Sequence, residues 1–220
     1  MLINIKKIFG GLIKTIFLRK CIGCGVPDFW ICEKCITKIP KSNNNPFDWS
    51  VSVFTYQNRV VRKAVWLLKF NRKHSVLQDL SAPINKSFEN FIHKKKISDK
   101  NGEKIFLIPI PITKRSQEKR GYNQSELLAK CISKNRAEVR IWNGVLFKSK
   151  NHISQNKIKN RKERWENVKN SFSVKNIEKL RGQTVILVDD VVTTGATIQE
   201  AKKVLNKNGV KKVFAFSVGH

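Results

Sequence analysis

The sequence predicts an α/β protein: a mostly parallel, twisted sheet flanked by helices, with a small cysteine-rich module at its N-terminus. Three observations carry that expectation. Two apolar runs, 105–111 (I-F-L-I-P-I-P) and 185–188 (V-I-L-V), lack polar alternation, as strands buried on both faces do. Each is followed by polar loop residues and then helical spacing, the strand–loop–helix order of parallel sheets. Of the 5 cysteines, Cys21, Cys24, Cys32 and Cys35 fall into two C-x-x-C pairs. At 220 residues the chain fits one α/β domain with a small appendage.

In chain order, residues 1–20 carry an apolar stripe (Ile5, Ile8, Phe9, Leu12, Ile16, Phe17) broken by Lys6, Lys7 and Lys14. This predicts an amphipathic helix packing on its own protein, without a signal-type core or a membrane span. The two cysteine pairs follow at once. Four thiolates form the closed tetrahedral shell of a structural zinc site, and Gly25 suits the tight turn behind Cys24. Paired redox motifs are the weaker reading, because no βαβ pattern surrounds them. The turn-rich stretch 40–46 (P-K-S-N-N-N-P) divides the chain into a helix and zinc ribbon over 1–45 and an α/β domain over 46–220.

A strand is expected over 51–56 and a helix over 59–70. Val60, Val61, Ala64, Val65, Leu67 and Leu68 form its apolar side; Arg62, Lys63, Trp66 and Lys69 recur on the other. An aromatic among cations can stack on unpaired bases, so those four residues are the candidate nucleic-acid face. Residues 76–92 read as one further helix, and Cys131 as a buried thiol within another. The polar, cationic segment 147–170 is long enough to serve as a lid. A closing strand is expected over 210–218, after the helix stop at Asn208-Gly209.

The formal net charge is +28, from 44 Lys+Arg against 16 Asp+Glu. It favours polyanionic partners: nucleic acid, nucleotides or an anionic membrane surface. A lysine-rich composition of the kind an A+T-rich genome produces would also generate it. Binding by charge alone would be salt-sensitive and blind to sequence. The cysteine usage fits a reducing, cytoplasmic compartment.

The most informative stretch is 184–197, T-V-I-L-V-D-D-V-V-T-T-G-A-T. A buried strand ends in Asp189 and Asp190, and a hydroxyl-rich loop (Thr193, Thr194, Gly195, Ala196, Thr197) enters a helix. The first-turn N–H groups and Gly195 suit a phosphate, while two adjacent carboxylates suit hydroxyls or a metal. A phosphorylated sugar bound with Mg²⁺ meets both demands. Beyond 105–111, Lys114, Arg115, Lys119 and Arg120 offer cations to a pyrophosphate at the same sheet edge.

The 184–197 stretch resembles the phosphoribosyl pyrophosphate (PRPP) motif of type I phosphoribosyltransferases. The resemblance narrows with I-P-I-P-x-x-x-R-x-x-x-x-R-G-Y-N-Q-S-E-x-L-A over 108–129, the cysteine pairs, the Tyr56-to-Phe70 helix, and Gln155, Arg164, Asn167, Val168 and Phe172. Together these look like the ComF-type competence proteins, and they span nearly the whole chain. Where that family carries arginine before the glutamine segment, this chain has Lys148.

The resemblance implies a type I phosphoribosyltransferase fold and a Mg²⁺-PRPP site. Asp189 and Asp190 would act as catalytic, ribose-holding residues, the 193–197 loop as the 5′-phosphate cradle, and Lys114 and Arg115 as pyrophosphate contacts. Gln155 and Arg164 would lie on a lid. Two functions are compatible with it: a phosphoribosyltransferase, or a non-catalytic DNA-uptake accessory that binds single-stranded DNA and DNA-uptake proteins and uses the PRPP pocket for regulation.

Overall fold

The computed structural model describes residues 19–71, 73–97, 104–148, 165–166 and 168–220. Residues 1–18 of the amphipathic helix expected over 1–20, and the expected lid residues Gln155 and Arg164, lie outside the described residues.

Five strands form one parallel sheet in the order β1-β7-β6-β2-β3: β1 (Ser50–Phe54), β7 (Lys212–Gly219), β6 (Thr184–Val191), β2 (Ile105–Pro109) and β3 (Val139–Ile141). The predicted α/β class is therefore the observed one. Central β6 shows why its apolar run has no polar alternation. Ile186 and Val188 enter the core on one face, with Phe88, Leu128 and Phe216. Val185 and Leu187 enter the core on the other, with Leu180, Ala201 and Leu205. All four are completely buried, each side chain stabilising the fold by about 1.5–3 kcal/mol relative to exposure.

Of the helices, α1 (Glu33–Ile36) belongs to the cysteine module. Helix α2 (Arg59–Phe70) starts where the Asn58 side chain accepts the N–H groups of Val60 and Val61. The single helix expected over 76–92 is instead two, α3 (Val76–Asp79) and α4 (Ser81–Lys94). Pro83 has no N–H to continue a ladder from Asp79, so it sits in the first turn of a new helix, where that donor is not needed. The Asp79 carboxylate instead accepts the backbone N–H groups of Trp30 and Ile31 at 2.8 and 3.1 Å. Trp30 Nε1 also donates to Ser75 Oγ at 2.9 Å. With Ile31 and Ile39 in the core below the sheet, the cysteine module is packed firmly onto the α/β layer.

The cation cluster after β2 forms a helix of its own, α5 (Lys114–Arg120), capped by Thr113 and closed by Gly121 at φ +79°. Asn123 then starts α6 (Gln124–Ser133): its Oδ1 accepts the Ser125 N–H while its Nδ2 donates to the Ile110 carbonyl. One side chain thus begins a helix and ties it to the end of β2. Helix α7 (Ala196–Lys207) crosses from β6 to β7 and stops at Asn208-Gly209, as expected. Two short strands, β4 (Leu146–Lys148) and β5 (Phe172–Val174), pair antiparallel, so the two ends of the long cationic segment lie side by side.

Candidate functional site

The strands of a parallel α/β sheet all present their carboxyl ends to the same edge. Here β2 ends in Pro109 opposite Val188 of β6, and Asp189 opposite Ser217 of β7. A cleft of about 560 Å³ opens at that edge. The 193–197 loop, Asp189–Asp190, α5, Lys69 and Lys148 all contribute to its lining.

The acid pair is asymmetric. Asp190 is 3% exposed, and its Oδ2 lies 2.8 Å from Lys69 Nζ. Burial opposes the charge on Lys69, but the Asp190 carboxylate outweighs it and holds the ammonium above its ordinary range. Asp189 Oδ1 accepts the Ser125 hydroxyl at 3.1 Å and the Asp190 N–H at 2.9 Å. Burial, then the neighbouring Asp190 charge, raise Asp189 to about 7. Lys69 and Asp190 thus form a salt bridge, beside which Asp189 takes up a proton near neutrality. Burial lowers Lys148, against the pull of Asp189.

The loop is shaped by Gly195, the residue before α7, at φ +80°. The sequence suggests that this glycine gives room to a phosphate. The structure adds a steric reason: a Cβ there would lie 2.5 Å from Phe47 Cε2 and 3.4 Å from Pro46 Cβ. The absent side chain makes room for Pro46 and Phe47, and the left-handed turn aims the α7 N-terminus into the cleft. Phe47 is fixed in turn by stacking on Trp49 at 4.6 Å, with Lys202 over the Trp49 ring at 3.9 Å.

Asp189, Asp190, Thr193, Thr194, Gly195, Ala196, Thr197 and Arg115 all line this one cleft, joined by Lys119 and Arg120. Lys114 does not. It points to solvent and faces Glu118 at 4.0 Å, one turn along α5, because consecutive helical residues diverge and only Arg115 turns inward.

The proposed nucleic-acid face also divides. Arg62, Lys63 and Trp66 line a separate hollow with Ile22 and Arg59, while Lys69 belongs to the cleft. The four-residue row Val61–Val65–Lys69 explains this: the first two are buried, and the third continues the same row to the acid pair. That row was legible in the sequence, and it places Lys69 off the solvated face. Ser125 lies within the 108–129 motif, whereas Phe47 carried no comparable signal.

The four cysteine sulfurs lie within 4.8 Å of one another. Cys32 N–H donates to Cys21 Sγ at 3.3 Å, and Cys24 and Cys32 sulfurs are 3.6 Å apart. Burial raises the Cys21 thiol, but the N–H groups of Cys32, Cys24 and Gly23 outweigh it and bring it to about 6. Burial and the three neighbouring thiols push Cys35 up to about 12. Such a cluster cannot ionise fully without a cation among the sulfurs, and the donor set fits a tetrahedral thiophilic metal. Gly25 adopts the expected turn at φ +81°. Gly23 is an additional requirement, since a Cβ there would meet Cys35 Sγ at 2.6 Å.

Comparison with known proteins agrees with this geometry. Residues 153–218 match the phosphoribosyl transferase domain family. The chain is 35% identical over 108 residues to competence protein F of Haemophilus influenzae, covering 49% of this chain and 46% of that protein. It is 30% identical over 158 residues to competence protein ComFC of Bacillus subtilis, covering 72% and 58%. It thus spans about half the length of these two relatives. To the DNA utilization protein YhgH of Escherichia coli O6:H1 it is 27% identical over 198 residues, 88% of this chain and 80% of that protein. Among the described residues no helix is long and apolar enough to cross a membrane. With a phosphoribosyl transferase domain on a parallel sheet and four clustered cysteines ahead of it, the chain belongs to the ComF-type competence protein family.

Proposed function

We propose that the cleft binds PRPP with Mg²⁺ and that the protein serves DNA handling of the competence type in the cytoplasm. One observation carries this reading: a helix N-terminus, an acid pair and a set of cations line a single cleft. The α7 N-terminus and the 193–197 loop would take the 5′-phosphate, where N–H groups and the helix dipole favour an anion. Asp189 and Asp190 would accept the ribose hydroxyls. Arg115, Lys119, Arg120 and Lys148 would neutralise the pyrophosphate, with the arginines able to fork onto it. Mg²⁺, arriving with PRPP, would add Lewis-acid neutralisation of the pyrophosphate charge. In phosphoribosyl transfer, the same acid pair would stabilise positive charge developing on the ribose ring.

Zn²⁺ is the proposed occupant of the four-thiolate site, and residues 1–45 the proposed zinc-bearing unit ahead of a phosphoribosyltransferase-like domain over 46–220. The names of the relatives support the DNA-handling role.

Calorimetric titration of PRPP and of ribose 5-phosphate, each with and without Mg²⁺, tests the cleft. Wild type is expected to bind both, PRPP more tightly with Mg²⁺. Asp190→Asn should lose the Mg²⁺-dependent gain and keep ribose 5-phosphate. A wild-type protein that ignores PRPP under all four conditions overturns the proposal.

A further inference from the structure

We propose that Phe70 is a stacking platform for an unpaired nucleobase at the mouth of the cleft, and that a single strand lies along α2 from Phe70 past Trp66 towards Arg59. Few large apolar side chains of the described residues are exposed; Trp66 at 42% and Phe70 at 44% are two of them. They stand one turn apart on α2, their ring centroids 6.2 Å apart and tilted by 44°. An aromatic pair at this spacing supports a helix only weakly, which does not account for where the rings sit. Phe70 lines the cleft, and Trp66 lines a second hollow of about 500 Å³. The pair therefore bridges two openings.

The surroundings identify the occupant. Among the described residues, the second hollow is lined by Ile22, Arg59, Arg62, Lys63 and Trp66, none of them a carboxylate. Lys63 Nζ sits 4.3 Å from the Trp66 centroid, and the Arg120 guanidinium 5.4 Å from that of Phe70. Each ring thus has a cation over it and keeps about two fifths of its surface exposed. Alternating rings and cations suit a ligand that alternates flat bases with phosphates. A duplex would offer the phosphates and hide the base faces.

Lys69 and Phe70 are consecutive but diverge: Lys69 meets Asp190 inside the cleft while Phe70 is exposed at its mouth. One turn of α2 would therefore touch both the sugar phosphate and the strand. Their affinities should depend on each other by the same factor in both directions. Only this coupling rests on the PRPP reading; the platform itself does not.

The test uses the full chain and a fluorescein-labelled single strand of deoxythymidines, titrated by anisotropy at two salt concentrations, with and without saturating PRPP and Mg²⁺. Phe70→Leu keeps an apolar side chain and removes the ring. It is expected to weaken strand binding about 5- to 150-fold with an unchanged salt slope, and Trp66→Leu to do the same. Trp66→Leu, whose ring lies outside the cleft, should bind ribose 5-phosphate like wild type. PRPP should shift the strand Kd several-fold in wild type and have no effect in Phe70→Leu. Wild-type strand affinity in Phe70→Leu, or equal affinity for a duplex of the same length, overturns the platform. Strand affinity indifferent to PRPP in a protein that binds PRPP overturns the coupling. Failure to bind PRPP at all defeats the cleft's proposed function instead, and the Phe70→Leu comparison still decides the platform.

Discussion

Lys69 Nζ lies 2.8 Å from Asp190 Oδ2, with the two side chains 21% and 4% exposed. A carboxylate so deeply buried depends on that ammonium, because removing one partner of a buried pair leaves the other charge without compensation. Lys69→Met is expected to destabilise the ligand-free protein by about 3 kcal/mol. Lys69→Met combined with Asp190→Asn should recover part of the loss. Urea unfolding of both variants checks this; an additive double variant would mean the two charges do not support each other.

Asp189 gives a pH dependence of defined sign. Its folded-state value of about 7 stands above the ordinary 3.8, so the folded protein holds this proton more tightly than the unfolded chain. The resulting stabilisation is complete below about pH 4 and is lost as pH rises through 7. In metal-free buffer, the melting temperature of Asp189→Asn should fall less than that of wild type between those limits. Parallel melting curves would place the titration elsewhere.

Gly195 is held by two constraints: its φ of +80° and the Phe47 ring 2.5 Å from where a Cβ would stand. Gly195→Ala should cost about 1–2 kcal/mol for the left-handed backbone alone, more for the contact, and should weaken ribose 5-phosphate binding by re-aiming the loop. Adding Phe47→Ala should relieve the steric part only. If Gly195→Ala in the Phe47→Ala background were as stable as Phe47→Ala itself, the backbone part would be absent.

The cysteine module should hold one metal per chain. Cys21→Ser or Cys32→Ser is expected to release it, and Gly23→Ala to weaken it by crowding Cys35. Because zinc ligation contributes about 10–16 kcal/mol to modules of this size, metal loss should free Trp30 from Asp79 and Ser75. Metal content by mass spectrometry, followed by proteolysis near residue 40, reads both effects. Purified wild type without metal, and equally resistant to protease, would remove the site's structural role.

The parallel sheet, its carboxyl-edge loop and the cysteine knuckles could be read from the chain because each is set by local order. An unalternating apolar run must be buried on both faces, a glycine and hydroxyls before helical spacing must form a turn, and cysteines three positions apart can converge on one ion. Asp189, Asp190 and the 193–197 loop are contiguous, so no folding was needed to bring them together.

What lies across the cleft was decided by packing. Lys69 stands more than a hundred residues from Asp190 in the chain, and only the seating of α2 against β6 makes them a pair. Lys114 and Arg115 are chemically alike, and the rotation of α5 on the sheet chooses Arg115. Phe47 gives Gly195 its reason, and Phe70 becomes part of the cleft's mouth, through contacts between segments that local propensity does not relate. Charge and residue type are properties of the chain; which charges share a buried volume, and so shift each other's protons, is a property of the fold.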